Sequence, residues 1–276
     1  MLAFDKLYIL KRPVRTNSTL SLWSPFDANM IGGSLVGIGI ALSGACPGTV
    51  LVQLTLGISS AKATAAGALM GAAMYIQLQE WRRYAQPRVQ DSILCRRTIS
   101  EMTRIPEVAV YSLLWIAVAV LLRYAPAGTK QSLIIPAIGG LLIGCVQAMS
   151  LLLTRSPLGV STAFEHLSQY ALNALRGKTG ARPNLPSTSV IFSLGIMAGS
   201  FALSACKPDF GKLVSNSAIP TWQAFVGGVV MTFGARLGGG CTSGHGLSGL
   251  SAMSASSLVT VTAIFGAGIL TRMLLG

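Results

Sequence analysis

Residues 227–251 read GGVVMTFGARLGGGCTSGHGLSGLS. The run starts as an apolar helix and breaks at Gly238, Gly239 and Gly240. It presents Cys241 at the break and resumes with Thr242, Ser243 and His245 in the first turn of a shorter segment. In water this would be an ordinary glycine-rich loop. Inside a bilayer, broken backbone is tolerated only where protein buries it or where it lines a watery cavity. The break is therefore either a packing defect or a site, and the remainder of the chain decides between them.

The same design occurs earlier. Residues 32–49 read GGSLVGIGIALSGACPGT. Gly32 matches Gly227, Gly33 matches Gly228, Gly39 matches Gly234, Gly44 matches Gly239 and Cys46 matches Cys241, each 195 positions apart (241 minus 46). One or two glycine matches would be noise in a chain with 31 glycines, but five in one register ending on a scarce cysteine form an internal repeat. Its defining residue is a thiol at a helix break.

Composition assigns the solvent. Half of the 276 residues are hydrophobic and 11% are charged, against roughly a quarter charged in soluble domains. Several apolar runs approach the roughly 20 residues that span a hydrocarbon core. The expected organisation is a polar, basic segment at 1–29 followed by one membrane domain at 30–276. Repeat one lies around 30–80 and repeat two around 221–275. The formal charge of +13 fits basic loops that hold orientation and meet anionic lipid, and basic mouths that concentrate an anion. Nucleic acid is not an expected partner, because the basic residues are scattered between spans. The five cysteines form no C-x-x-C pair and no metal-ligand spacing, so neither a disulfide framework nor a metal or other cofactor is expected. Segment 1–29 lacks the apolar core of a secretory signal, and Asp5 and Asp27 count against a mitochondrial address. The plasma membrane is the expected location of this multi-pass protein.

Along the chain, a broken segment at 30–58 is followed by spans at 61–78, 108–122, 132–153 and 189–205. The second broken segment starts near 221, and a last span covers 257–275. Residues 80–107 are the longest polar stretch and hold six arginines. Residues 157–175 read as a re-entrant or interfacial helix. The spaced pairs Gly67/Gly71, Gly140/Gly144 and Gly195/Gly199 read as helix-packing faces. If each broken segment crosses and 157–175 does not, five crossings separate the two repeat starts. An odd number inverts one repeat relative to the other, and an internal N-terminus places the arginine-rich stretch inside as well. The fold class expected is an all-α polytopic membrane protein, an inverted repeat with two discontinuous helices meeting near the bilayer midplane.

A half-helix starting after each cysteine would aim unpaired N–H groups and a positive dipole end at the break, which suits an anion. Each such spot carries a thiol, a weak and polarisable donor. Cys145 and Cys206, outside the repeat, read as small buried apolar residues. The candidate substrate-contacting set is Cys46, Pro47, Gly48 and Thr49 at the first break, and Arg236, Cys241, Thr242, Ser243, Gly244 and His245 at the second. Arg236 either attracts the anion or pairs with Glu165 or a carbonyl. His245, one turn from Cys241, either meets substrate or packs. Thr49, Thr242 and Ser243 either donate to an oxyanion or satisfy the break.

The segments 44–49 (GACPGT) and 239–249 (GGCTSGHGLSG), together with 157–162 (PLGVST), resemble the signature motifs of the YeeE/YedE sulfur-transport family. The resemblance extends over residues 30–275. It implies a transporter, not an enzyme, that takes up thiosulfate through a narrow path where thiols hand the ion along. By motif that role falls on Cys46 and Cys241. The expected partners are a small sulfur-containing anion and the lipid bilayer. The competing reading is a membrane thiol–disulfide oxidoreductase that cycles Cys46 and Cys241, which the lack of C-x-x-C disfavours.

Overall fold

The computed structural model describes residues 23–85, 98–124, 136–154, 159–177, 187–206 and 219–275. The readings made for most of segment 1–29, for the arginines of 86–97 and for Cys95 lie outside them. Among the described residues the architecture is helical. The elements are α1 (Asp27–Ser43), α2 (Pro47–Thr55), α3 (Ser59–Ala85), α4 (Ile99–Thr103), α5 (Glu107–Tyr124), α6 (Pro136–Thr154), α7 (Ser161–Leu175), α8 (Thr188–Cys206), α9 (Thr221–Leu237), a π-helical turn (Ser243–Gly249) and α10 (Ala255–Leu275). Asp27–Thr55 across its break, Thr188–Cys206 and Ala255–Leu275 are long and apolar enough to cross a membrane, and shorter apolar helices cover Glu107–Ile116 and Ile138–Leu153.

Glycine decides the centre of the fold. Helices α1 and α9 run antiparallel, because Gly32 of α1 faces Gly234 and Gly238 while Gly39 faces Gly227 and Met231. A Cβ at Gly39 would fall 2.5 Å from the Met231 amide nitrogen, and one at Gly227 would fall 2.8 Å from that of Ser43. No larger residue fits there, so backbone meets backbone. The contact is reciprocal in the repeat register: Gly32 meets Gly234, and their equivalents Gly227 and Gly39 also meet. The flanking helices repeat the arrangement. Helix α10 lies along α1, where Gly33 approaches Ala263 and the Thr260 carbonyl, and Gly37 approaches the Ile264 carbonyl. Helix α3 lies along α9, where Gly228 approaches Ala68 and the Thr64 carbonyl. The pairs Gly33–Ala263 and Gly228–Ala68 are again 195 apart at each member. Dispersion between close backbones is the main attraction available among helices already surrounded by hydrocarbon.

The remaining helices attach to this four-helix centre. Helix α7 packs on α3, with the Ser168 hydroxyl donating to the Leu69 carbonyl at 2.8 Å. Helix α8 meets α2, where Thr55 and Ser200 hydroxyls lie 2.8 Å apart. Thr98 forms a bridge with Ser254, and the Tyr111 hydroxyl donates to the Ser251 carbonyl at 3.2 Å. The polar stretch after α3 therefore returns to the end of the second broken segment. Helix α6 touches the π-turn through Gln147 and Ser248 at 3.2 Å.

Two readings of the sequence are corrected. Gly67 and Gly71 do pack closely, against Phe225 and Val229, but Gly140, Gly144, Gly195 and Gly199 face open space. Cys145 and Cys206 are exposed rather than buried. The reason is shared: these residues lie on α6 and α8, peripheral helices whose large apolar residues, such as Leu141 and Phe201, also face outward. In a membrane protein that outward surface is where lipid sits. Helix α7, read as re-entrant or interfacial, buries Ser161, Ala163, Phe164 and Ser168 against the centre of the protein.

Gly37→Ala or Gly228→Ala should destabilise the protein by about 1–3 kcal/mol, the usual cost of overpacking, whereas Gly140→Ala or Gly195→Ala should be neutral. Thermal unfolding in detergent reads this directly. Equal shifts for the two sets would show that backbone contact does not hold the central helices together.

Candidate functional site

The first break is built by local capping. Helix α1 ends on Gly44 in the left-handed region (φ 66°), whose N–H reaches the Ile40 carbonyl at 2.8 Å. A side chain there would be strained by its φ and would strike Ile219 at 2.6 Å. Cys46 is extended and caps α2, and Pro47 occupies the first helical position, where a missing N–H costs nothing. The Thr49 hydroxyl accepts the Cys46 N–H at 2.7 Å. It lies 3.0 Å from the Cys46 carbonyl and 3.4 Å from Sγ, either of which can take its proton. Thr49 therefore satisfies the break. Beside the thiol, Gly48 leaves room: a Cβ there would stand 3.9 Å from Cys46 Sγ and 3.8 Å from the Val160 side chain.

The second break is held by a buried polar network. Gly239 is left-handed (φ 78°), and Gly240 N–H returns to the Ala235 carbonyl at 2.8 Å, closing α9. The chain then winds as a π-helix through Ser243–Gly249, a rare geometry that is frequent at functional sites. Its glycines make the wider turn possible, and Gly249 has no Cβ to strike the Ser257 hydroxyl. His245 is fully buried, with Nε2 3.0 Å from the Gly238 carbonyl and Nδ1 2.9 Å from Ser257 Oγ. A carbonyl only accepts, so Nε2 carries the proton and the Ser257 hydroxyl donates to Nδ1. The Asn29 amide donates to the same Gly238 carbonyl and to Thr260 Oγ1, both at 3.0 Å. Histidine and asparagine thus pin the break to α1 and α10, and both His245 ring nitrogens are engaged within the protein.

Cys241 is 1% exposed and surrounded by donors. Its sulfur lies 3.1 Å from Ser243 Oγ, and Ser161 and the Gly244 N–H lie close by. The Ser161 N–H belongs to the first turn of α7, whose opening amides have no partner inside the helix. The start of α7 therefore reaches both breaks through consecutive residues: Val160, whose side chain lies near Gly48, and Ser161, beside Cys241. A glutamate one turn further along that helix, Glu165, forms an ion pair with Arg236, and both side chains are mostly buried. This is the pairing with Glu165 that the sequence offered, while the buried Nε of Arg236 has no partner among the described residues.

A cavity of about 1030 Å3 reaches both breaks, with Cys46 and Thr242 in its lining. The Thr242 hydroxyl is buried and has no partner among the described residues. Of the expected set, Cys46, Pro47, Gly48 and Thr49 sit together at the first break, with Val160 near Gly48, while Ser161, Ser243 and Gly244 lie around Cys241. His245 and Arg236 make contacts within the protein. Ser161 was legible only as part of a motif; its place on Cys241 depends on how α7 packs. Asn29 went unnoticed, although a buried amide in an apolar helix is a signal that sequence can offer.

Comparison with known proteins agrees with this geometry. Two proteins of Xylella fastidiosa, from strains Temecula1 and 9a5c and each described as a probable transporter, are 32% identical to this chain over 131 residues. The aligned part is 47% of this chain and 84% of theirs. The family described as Sulphur transport matches residues 13–270, nearly the whole chain and both cysteine breaks. A membrane-spanning helical chain with that match belongs to the sulphur transport family.

Proposed function

We propose that this multi-pass membrane transporter moves thiosulfate, or a closely related sulfur-containing anion, along a narrow path on which Cys46 and Cys241 hand the ion from one break to the other. The observation that carries the reading is the convergence of both breaks on Val160 and Ser161. A desolvated anion needs donors that hold it weakly enough to release it. Thiols meet that need: they are soft, polarisable donors that match a terminal sulfur better than a hydroxyl does. Ser161, Ser243 and the Gly244 N–H supply firmer donors beside Cys241. The Thr242 hydroxyl, buried without a partner, offers another.

The two halves, around 30–80 and 221–275, are read as an inverted repeat. The antiparallel α1–α9 contact and its reciprocal glycine pairs support this, since a two-fold axis across antiparallel spans lies in the membrane plane. Thiol–disulfide chemistry has no observation in its favour, and the family is one of transporters rather than enzymes.

Within this scheme the Glu165–Arg236 pair is a tether. It binds α7 to α9 and so holds Ser161 on Cys241. Its charges cancel, which is the state in which two ionised groups are tolerated at membrane depth. Removing one partner strands the other, at a cost of about 3–5 kcal/mol.

Two outcomes test the proposal. In proteoliposomes at matched protein level, Cys46→Ala and Cys241→Ala should each cut thiosulfate uptake by about tenfold or more, since losing a hydrogen bond to a charged partner costs roughly 1.5–3 kcal/mol. Cys145→Ala and Cys206→Ala should retain it. Wild-type rates in the first pair would assign those thiols to packing. For the tether, Glu165→Gln and Arg236→Gln should each lower the unfolding temperature and uptake together, and the double variant should recover much of the stability. If Arg236→Gln alone raised KM at full stability, Arg236 would be a ligand of the anion.

A further inference from the structure

Three arginines differ in their surroundings. Arg236 is paired with Glu165, and Arg176 is paired with Glu80 at 2.8 Å. Arg272, near the end of α10, has no hydrogen bond or ion pair among the described residues, and it lines the cavity that reaches Cys46 and Thr242. Among the described residues no acidic side chain shares that lining, whereas Gln53, Ser60 and Gln223 do.

The topology places these groups at one end of the cavity. Helices α1 and α10 run parallel and end there, while α3 and α9 begin there. Arg272, Ser60 and Gln223 lie at those helix ends, Gln53 lies near the end of α2, and Thr242 enters from the second break. The walls between are mainly isoleucine and phenylalanine side chains of α1 and α10. The arginine-rich stretch 80–107 follows the opposite end of α3, so the positive-inside rule assigns this mouth to the outer face.

We propose that the mouth of the cavity is a second, outer oxyanion site, built on Arg272 with Gln53 and Gln223, which the transported ion occupies before it reaches Cys46. This inference rests on the transport reading above. A guanidinium with no acidic partner among the described residues, beside low-dielectric walls, focuses its field into the cavity and raises the local anion concentration. Its planar fork matches two oxygens of a tetrahedral oxyanion, and glutamine amides donate to the others. The ion is thus taken by hard donors at the mouth and passed to softer ones at the break. A phospholipid phosphate shares this chemistry and also meets arginine at membrane boundaries. The transported ion is the better-supported occupant, because one cavity joins Arg272 to Cys46 and to the unpartnered Thr242 hydroxyl.

The test reads the rate at which Cys46, half-buried in the cavity, reacts with two small methanethiosulfonates, one bearing a sulfonate and one a trimethylammonium group. Full-length protein is reconstituted in phosphatidylcholine vesicles, with and without phosphatidylglycerol, and modification is followed on the Cys46 peptide by mass spectrometry. Arg272→Gln should lower the anionic-to-cationic rate ratio by about tenfold, and Arg272→Lys should restore most of it. Thiosulfate should protect Cys46 at lower concentration in the wild type than in Arg272→Gln. An unchanged ratio overturns the outer site even if uptake is normal. A change confined to vesicles containing phosphatidylglycerol also overturns it, in favour of a lipid headgroup. If the ratio and the protection behave as expected while wild-type protein takes up no thiosulfate, the outer site stands and the transport reading falls.

Discussion

The backbone-to-backbone contact of α1 and α9 is the constraint on which the rest depends. At Gly32, Gly39, Gly227 and Gly234 the two helices approach too closely for any Cβ. Helix ends and breaks are consequently set by backbone position, with little freedom for side chains to re-adjust. Once these helices are in contact, α10 and α3 take the equivalent grooves on either side, again through glycine. The breaks then emerge at defined places: Gly238 beside Gly32, and Gly44 beside Ile219. A looser, leucine-lined contact would associate too, but it would leave the two thiols without a fixed relation.

The two breaks solve one problem by different means. Interrupted backbone in a membrane leaves N–H and C=O groups that water cannot satisfy. At the first break the answer is local: Gly44 closes α1, Pro47 removes one donor, and Thr49 folds back on Cys46. At the second it is long-range, through Asn29 and His245 on the Gly238 carbonyl and Ser257 on the imidazole. The consequence for function is an asymmetry. Cys46 is half-buried and faces the cavity, while Cys241 is sealed among the donors of Ser161, Ser243 and Gly244. On the proposed path, an ion arriving from the cavity meets the accessible thiol first.

Much of the organisation could be read without coordinates. The 195-residue register, the glycine clusters and the two cysteines at breaks marked both halves and the family. These are features of local chain chemistry: which residues allow a break, which close it, and which residue stands at it. Assignments that depended on neighbours fared differently. Gly140/Gly144 and Gly195/Gly199 have the same spacing as Gly67/Gly71, yet only the last pair is packed. Spacing defines a smooth face, whereas the position of the helix at the centre or the edge decides whether another backbone lies on it. Cys145 and Cys206 are exposed for the same reason.

His245 and Arg236 mark the limit most clearly. From sequence, a histidine one turn from a cysteine and an arginine within an apolar run are both substrate candidates, because each is costly to place in a membrane. The structure gives each a protein partner that no local pattern announces: Glu165 for Arg236, and Gly238 with Ser257 for His245. Ser161 moved the other way, from a motif position to a direct neighbour of Cys241. The sequence by itself determined the solvent, the repeat and the thiol at each break, since composition and local backbone chemistry suffice for those. Only the tertiary structure decided which polar groups spend their hydrogen bonds on the protein and which remain available to a passing ion. That partition depends on what helix packing brings within about 3 Å, and no local pattern contains it.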